Sequence, residues 1–146
     1  MDVEGWQNTR WGMNEDQIIE VVGHEHLRRV DREDFQRFYA DLAIPFVNIG
    51  EYEFTVRFQM SKDKCLLEQV LVRREGPSSE DQSGVAAEAL TVLTERFGVP
   101  SRLGTASAWE WKFPSTTKSL SFHKIEDMMS FTSIIFRRTG DARRAI

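Results

Sequence analysis

Between residues 51 and 60 the chain alternates without a break: Tyr52, Phe54, Val56, Phe58 and Met60 are apolar, while Glu51, Glu53, Thr55, Arg57 and Gln59 are polar. A helix repeats its faces about every 3.6 residues, so a strict period of two specifies a strand with one dry and one wet face. Ser61-Lys62-Asp63-Lys64 follows as a polar turn, and residues 65–74 read as the returning strand. A four-residue turn sets Met60 opposite Cys65, Phe58 opposite Leu67 and Phe54 opposite Leu71, which leaves Leu66, Val70 and Val72 on the polar side. A turn one residue longer exchanges the two sets. An antiparallel hairpin is thus the fixed point, and the rest of the chain must cover its dry face.

Two helices are available as cover. Asn14 and Gln17 have capping-box spacing, in which each side chain satisfies a free backbone N–H of the other. Glu15 and Asp16 suit the positive end of the helix dipole. The helix is short, with Ile18, Ile19 and Val22 as its apolar side, and Gly23 is expected to end it in the left-handed conformation. Ser79 and Gln82 repeat the capping-box spacing after a loop at 75–82 rich in breakers, Gly76-Pro77-Ser78-Ser79. Ala86, Ala89, Leu90, Leu93 and Phe97 then recur at helical spacing, and Gly98 with Pro100 forms a stop.

Further strands flank these elements. Residues 34–43 fit two patterns. Phe35, Phe38, Tyr39 and Leu42 form a helical stripe, whereas Phe38, Ala40 and Leu42 alternate as in a strand; the strand over 38–43 is preferred, closed by Pro45. Residues 24–33 read as a polar surface connection, with room for a short strand, and with Leu27 and Val30 as anchors. After a loop at 101–107, Trp109, Trp111 and Phe113 alternate with Glu110 and Lys112. Leu120 and Phe122 alternate with Ser119, Ser121 and His123, and 130–137 forms the last strand before a polar tail at 139–146. The halves share an order of helix then strands, but their residues do not repeat. Short connections favour antiparallel pairing and one-sided alternation places both helices on one face. The expected fold is α+β: a two-layer sandwich of about five or six antiparallel strands, in one domain over residues 1–146.

Composition narrows the function classes. Ten Phe, four Trp and two Tyr in 146 residues argue for a packed core. Net charge is −4 with both signs interspersed, without the basic footprint of a nucleic-acid binder; Arg137, Arg138, Arg143 and Arg144 read as a solvated end. Cys65 is the one cysteine, so no intrachain disulfide forms, and the plainer reading makes it a small buried apolar residue. No apolar stretch of about 18 residues is present to span a membrane. The acidic start, Met1-Asp2-Val3-Glu4, is unlike a signal peptide, so the expected compartment is the cytoplasm, or outside it if a signal has been trimmed.

Catalytic patterns are absent. The nine glycines are scattered singly, and neither a Gly-x-Ser-x-Gly elbow nor a His-Glu-x-x-His motif occurs. His24 and His26 could chelate a metal from an extended segment, but no Cys or further His stands nearby in sequence. His123 could act as a base but has no identifiable partner. No metal or other cofactor is expected. Trp109 and Trp111 read as core. Trp6 and Trp11, in polar company, are candidates for a binding surface, because Trp is enriched at hot spots.

Thr9-Arg10-Trp11-Gly12-Met13-Asn14, the short helix ending in Val22-Gly23, and Arg96-Phe97-Gly98-Val99-Pro100 ahead of a Trp-rich meander resemble a group of small bacterial proteins that open with a Trp-Gly-Met turn into a helix. The helix-then-meander layout is also similar to that of β-lactamase-inhibitor proteins and of small outer-membrane assembly lipoproteins. That resemblance implies binding of other proteins through an open sheet face and carries no catalytic residues; the export signal or lipid-attachment Cys of those groups is lacking here. The preferred expectation is therefore a non-enzymatic protein-binding or scaffold module. Its wet sheet face (Glu53, Thr55, Arg57, Gln59) would meet a protein partner or a second copy. The alternative is a small-ligand or metal binder, or an enzyme, with a pocket near His24, His26 or His123.

Overall fold

The structure, a computed structural model, describes residues 5–77, 82–102, 108–125 and 129–139. Its elements in chain order are α1 (Glu15–Val22), β1 (Arg28–Asp34), β2 (Phe38–Ile49), β3 (Tyr52–Ser61), β4 (Leu67–Pro77), α2 (Gln82–Phe97), β5 (Ser101–Arg102), β6 (Ala108–Lys112), β7 (Thr116–Ile125) and β8 (Met129–Arg138). All eight strands form one antiparallel sheet in the order β1-β2-β3-β4-β8-β7-β6-β5. Each half is a helix followed by a four-strand meander, and the last strand of each half pairs with the other at the centre of the sheet. The α+β class holds, with eight strands in place of the expected five or six.

The two additional strands are those with least apolar patterning. β1 (Arg-Arg-Val-Asp-Arg-Glu-Asp) lies in the segment read as a surface connection with room for a short strand; the strand forms, seven residues long, and pairs along β2. Its charge suits an outer edge, where charged side chains discourage pairing with another chain. β5 is two residues long and caps the opposite edge. β2 continues through Pro45, against the expectation that Pro45 closes it. The register slips between Ile44 and Val47, and a proline, lacking an N–H, is tolerated at such an irregularity.

The central hairpin forms as expected, but in neither of the two expected registers: along most of its length the pairing is offset by three residues from that of the four-residue turn, so Val70 and Val72 take the dry face while Leu67 keeps it. Phe58 lies opposite Val70 and Val56 opposite Val72, not Phe58 opposite Leu67. The turn is tied by Ser61 N–H to Leu66 O (2.9 Å) and Cys65 N–H to Ser61 O (2.8 Å). A further irregularity, in which Met60 faces Leu67 while Gln59 faces Gln69, leaves Glu68 as the extra residue. That residue lets Leu67, Val70 and Val72 all point into the dry interior. Cys65 is exposed with φ +57, so the buried reading of this residue is overturned.

α1 forms with both capping-box bonds, Gln17 N–H to Asn14 Oδ1 and Asn14 N–H to Gln17 Oε1, each 2.9 Å. Gly23 has φ +91 but ψ 149, an extended mirror conformation and not the left-handed helical one. The Ser79–Gln82 cap and the tail beyond Thr139 lie outside the described residues. Phe54, Val56 and Phe58 share one buried cluster with Ile18 of α1 and Val85, Ala89 and Leu93 of α2, with Leu90 packed against it. Burial of side chains of this size contributes about 1.5–3 kcal/mol each, which is what holds both helices to one face. No helix among the described residues is long and apolar enough to cross a membrane.

Candidate ligand site between α2 and the sheet

β7 carries the polar run Thr116-Thr117-Lys118-Ser119 into the middle of the apolar layer. The pairings Phe58–Val70, Val70–Phe136, Phe136–Lys118 and Lys118–Trp111 define one row of side chains on the helix-bearing face. Lys118 is therefore the one charged member of an apolar row, and it is 1% exposed. Its Nζ lies 3.8 Å from the centre of the Phe97 ring, 4.4 Å from Phe136 and 5.7 Å from Phe113. Phe97 and Phe113 meet edge to face at 6.2 Å. Among the described residues no carboxylate pairs with this ammonium. Burial lowers its pKa to about 8, and the charge of Arg96 pushes the same way.

Lys118 faces a cavity of about 250 Å³ between α2, the end of β2 and the sheet. Leu93, Phe97, Ile134 and Phe136 supply apolar walls, Arg96 stands at the side of α2, and no acidic side chain lines it among the described residues. Trp6 closes the end nearest the N-terminus. It is buried and packs edge to face on Phe58 at 5.9 Å. Its turn is knotted by Thr9, whose Oγ1 accepts from Trp6 N–H (3.0 Å) and donates to Trp6 O (2.6 Å). The turn is also tethered to β7, because Gly5 N–H and Trp11 Nε1 both donate to Thr116 Oγ1, at 3.0 and 3.1 Å. Thr116 precedes Lys118 by two residues, so the same strand positions both the cation and the tryptophan wall. Trp6, Gln7 and Val47 also border a second hollow, about 290 Å³, beside α1, with His26 and Phe46 on its far side.

The residues singled out from sequence are distributed over three places. Trp6 borders the Lys118 cavity. Trp11 is half-buried and spends its indole N–H on Ser115 O and Thr116 Oγ1 (3.1 Å each), holding the N-terminal turn in place. Trp111 is core as expected, its Nε1 donating to Gly98 O at 2.7 Å. Glu53, Thr55 and Arg57 lie on the helix-free face and line a hollow of about 280 Å³ with Arg73, Arg74 and the exposed Phe46. Gln59, on the same face, is only 2% exposed and accepts from Gln69 Nε2 at 2.6 Å. His24 and His26 are exposed after α1, and the backbone of His123 stands opposite Phe131 in the β7–β8 pair. No group of three or more His, Cys, Asp or Glu gathers among the described residues.

Sequence reasoning missed Lys118, although the signal was present. Leu120 and Phe122 set the parity of the dry face, and counting back two residues from Leu120 reaches Lys118. A lysine in phase with core positions is a buried lysine. A second cluster was also missed: Arg29 Nη1 lies 3.0 Å from both Glu15 Oε1 and Asp41 Oδ2, and Tyr39 Oη donates to Glu15 Oε2 at 2.7 Å. It joins α1 to β1 and β2. Set against known proteins, the chain matches no family model, no curated protein and no solved structure.

Proposed function

We propose that this domain is a non-enzymatic binding module for a small, largely apolar molecule seated in the cavity between α2 and the sheet. The observation that carries this reading is Lys118, a charge kept in an aromatic-walled cavity without a counter-charge among the described residues. A ligand site typically combines apolar walls with a few convergent polar groups, and the tethered Trp6 supplies a preformed wall. The test uses native tryptophan fluorescence and thermal shift against a panel of small apolar compounds, with Val92→Trp as the control. Val92 is half-buried and lines the cavity, so a larger side chain there fills the space at little cost to the fold. Binding by the parent protein that is lost in Val92→Trp supports the reading; equal binding by both overturns it.

A second reading keeps a protein partner on the helix-free face. It is supported by the hollow where Arg57, Arg73 and Arg74 stand beside Phe46, which is 77% exposed. Glu53 also lines the hollow and Glu33 pairs with Arg57 and Arg73, which leaves a net positive charge beside an exposed aromatic and favours an acidic segment of a partner or a second copy of this chain. Sedimentation at rising concentration, alone and with an acidic peptide pool, tests it. A monomer that retains no peptide sinks it.

A further inference from the structure

We infer that the molecule held in the cavity carries a single carboxylate, which sits between the Lys118 ammonium and the Arg96 guanidinium while an unbranched apolar body lies along Leu93, Ile134 and Phe136. This rests on the ligand-binding reading above and adds the chemical class of the ligand.

A charge withdrawn from water is expensive unless it is paired. The rings of Phe97 and Phe136 at 3.8 and 4.4 Å return part of that cost, because a cation over an aromatic face gains about 0.5–2 kcal/mol. They cannot neutralise it. Arg96 makes matters worse, since a second cation facing the same cavity repels the first. Two like charges converging on one space, with no acid between them among the described residues, is an arrangement that an anion completes. Arg96 is exposed and already solvated, so the buried deficit is the one charge of Lys118. A monoanion cancels it; a dianionic phosphate would bury excess negative charge in its place. Apart from Gln7 and Asn48 the remaining lining is aliphatic and aromatic, which suits a hydrocarbon body better than a sugar or nucleotide.

The direct test is calorimetric titration of the full chain with octanoate, octanol and octylamine, which share one body and differ in head group. The expected result is octanoate at least about tenfold tighter than octanol, with octylamine undetectable. Lys118→Met should bind octanol as well as octanoate, and Arg96→Gln should weaken octanoate alone. Equal affinity of the parent protein for octanoate and octanol leaves the cavity occupied but overturns the carboxylate assignment. No binding of any of the three overturns the assignment and the reading beneath it. The parent-protein comparison decides the matter even if Lys118→Met does not fold. A further arm follows octanoate from about pH 7 to about pH 9.5, across the range in which Lys118 loses its proton. The cavity lining offers no other charged side chain than Arg96 from α2, with none from β2, β4 or β8 among the described residues. Octanoate affinity should fall through that range while octanol affinity stays level; an octanoate affinity that does not change with pH also overturns the assignment.

Discussion

Lys118 and Phe97 meet ammonium over ring at 3.8 Å, the contact at which β7 and the last turn of α2 are joined. Every other member of the row in which Lys118 lies is apolar, so this contact marks where the fold retains a charge that its own packing does not need.

Lys118→Met should therefore stabilise the empty protein. Burial first, and then Arg96, bring the Lys118 pKa from the ordinary 10.5 down to about 8. Between those values the unfolded chain holds a proton that the folded chain has released, so stability rises as pH rises, and the cost of keeping the charge is fully present below pH 8. From about pH 7.5 to about pH 9.5 the linkage amounts to about 2 kcal/mol of added stability. Urea melts across this range should show the rise in the parent protein and a flat line in Lys118→Met. The range stops there because Tyr39, whose pKa burial and Glu15 drive upward, adds stability that is lost at higher pH.

The Glu15–Asp41–Arg29 cluster should respond unequally to loss of its two acids. Burial works to raise the Glu15 carboxyl, but the Tyr39 hydroxyl and Arg29 outweigh it and hold it below 4.5. Asp41 goes the other way, raised by burial and by the charge of Glu15, and its Oδ1 is buried without a hydrogen-bond partner. Glu15 thus contributes stability above its unfolded pKa that fades as pH falls. Asp41 carries a cost at neutral pH that protonation relieves. At pH 7, Glu15→Gln should lose about 1–2 kcal/mol, whereas Asp41→Asn should be neutral or stabilising. Chemical denaturation of both variants at pH 7 checks the asymmetry; equal losses would refute it.

The N-terminal turn has one glycine it cannot exchange and one it can. Gly5 has φ +68, and a Cβ there would run into the Thr9 carbonyl, part of the knot that holds Trp6. Gly12 has φ +87 with open space around it. Gly12→Ala should cost about 1–2 kcal/mol from the backbone alone. Gly5→Ala should cost more, about 3 kcal/mol, and should move the Trp6 emission maximum to the red. Thermal melts and fluorescence of the two variants separate the effects.

The order in which the fold became readable follows the strength of local patterning. The β3 alternation and the Asn14–Gln17 box are local signals, and both elements formed where the residues placed them. β1 is held by backbone pairing and displays charges, so side-chain periodicity had nothing to report. The offset register of Phe58 and Val70 depends on an extra residue at Glu68, a feature that costs one position and leaves no compositional trace. Trp6 was singled out by its chemistry, and the structure places it at the edge of the Lys118 cavity. Lys118 shares the parity of Leu120 but was passed over, because its neighbours Thr116, Thr117 and Ser119 disguise a buried strand as a polar one. Their hydroxyls have other work: Thr116 anchors the N-terminal turn, and Thr117 Oγ1 lies 3.1 Å from Thr139 Oγ1.

Cys65 should behave as a surface thiol. It is exposed, in a left-handed turn position at φ +57, which a side chain with a Cβ occupies at a cost of about 1–2 kcal/mol. A thiol-specific reagent should modify one equivalent in the folded protein without denaturant. Cys65→Asn, better suited to that conformation, should match or exceed the parent in stability. Protection of the thiol until denaturation would contradict the placement of the turn.

Glu33 links strands that are not neighbours. Its Oε1 lies 3.0 Å from Arg57 Nε on β3 and its Oε2 3.4 Å from Arg73 Nη2 on β4. β1 and β4 are three strand spacings apart, roughly 14 Å in a flat sheet. One carboxylate on the edge strand is thus held by long guanidinium side chains that reach back to it from β3 and β4. Arg57 and Arg73 are each less than a third exposed, so the pair is screened less than a surface bridge, yet it remains wet enough to contribute only about 1 kcal/mol. That is small against the whole fold and large against an edge strand held on one side only. Glu33→Gln should leave the global melt nearly unchanged while amide exchange quickens along β1 and not along β4. High salt should produce the same local loosening in the parent protein. Uniform exchange in β1 and β4 would mean that backbone pairing with β2 alone holds the edge strand and that Glu33 adds nothing to it.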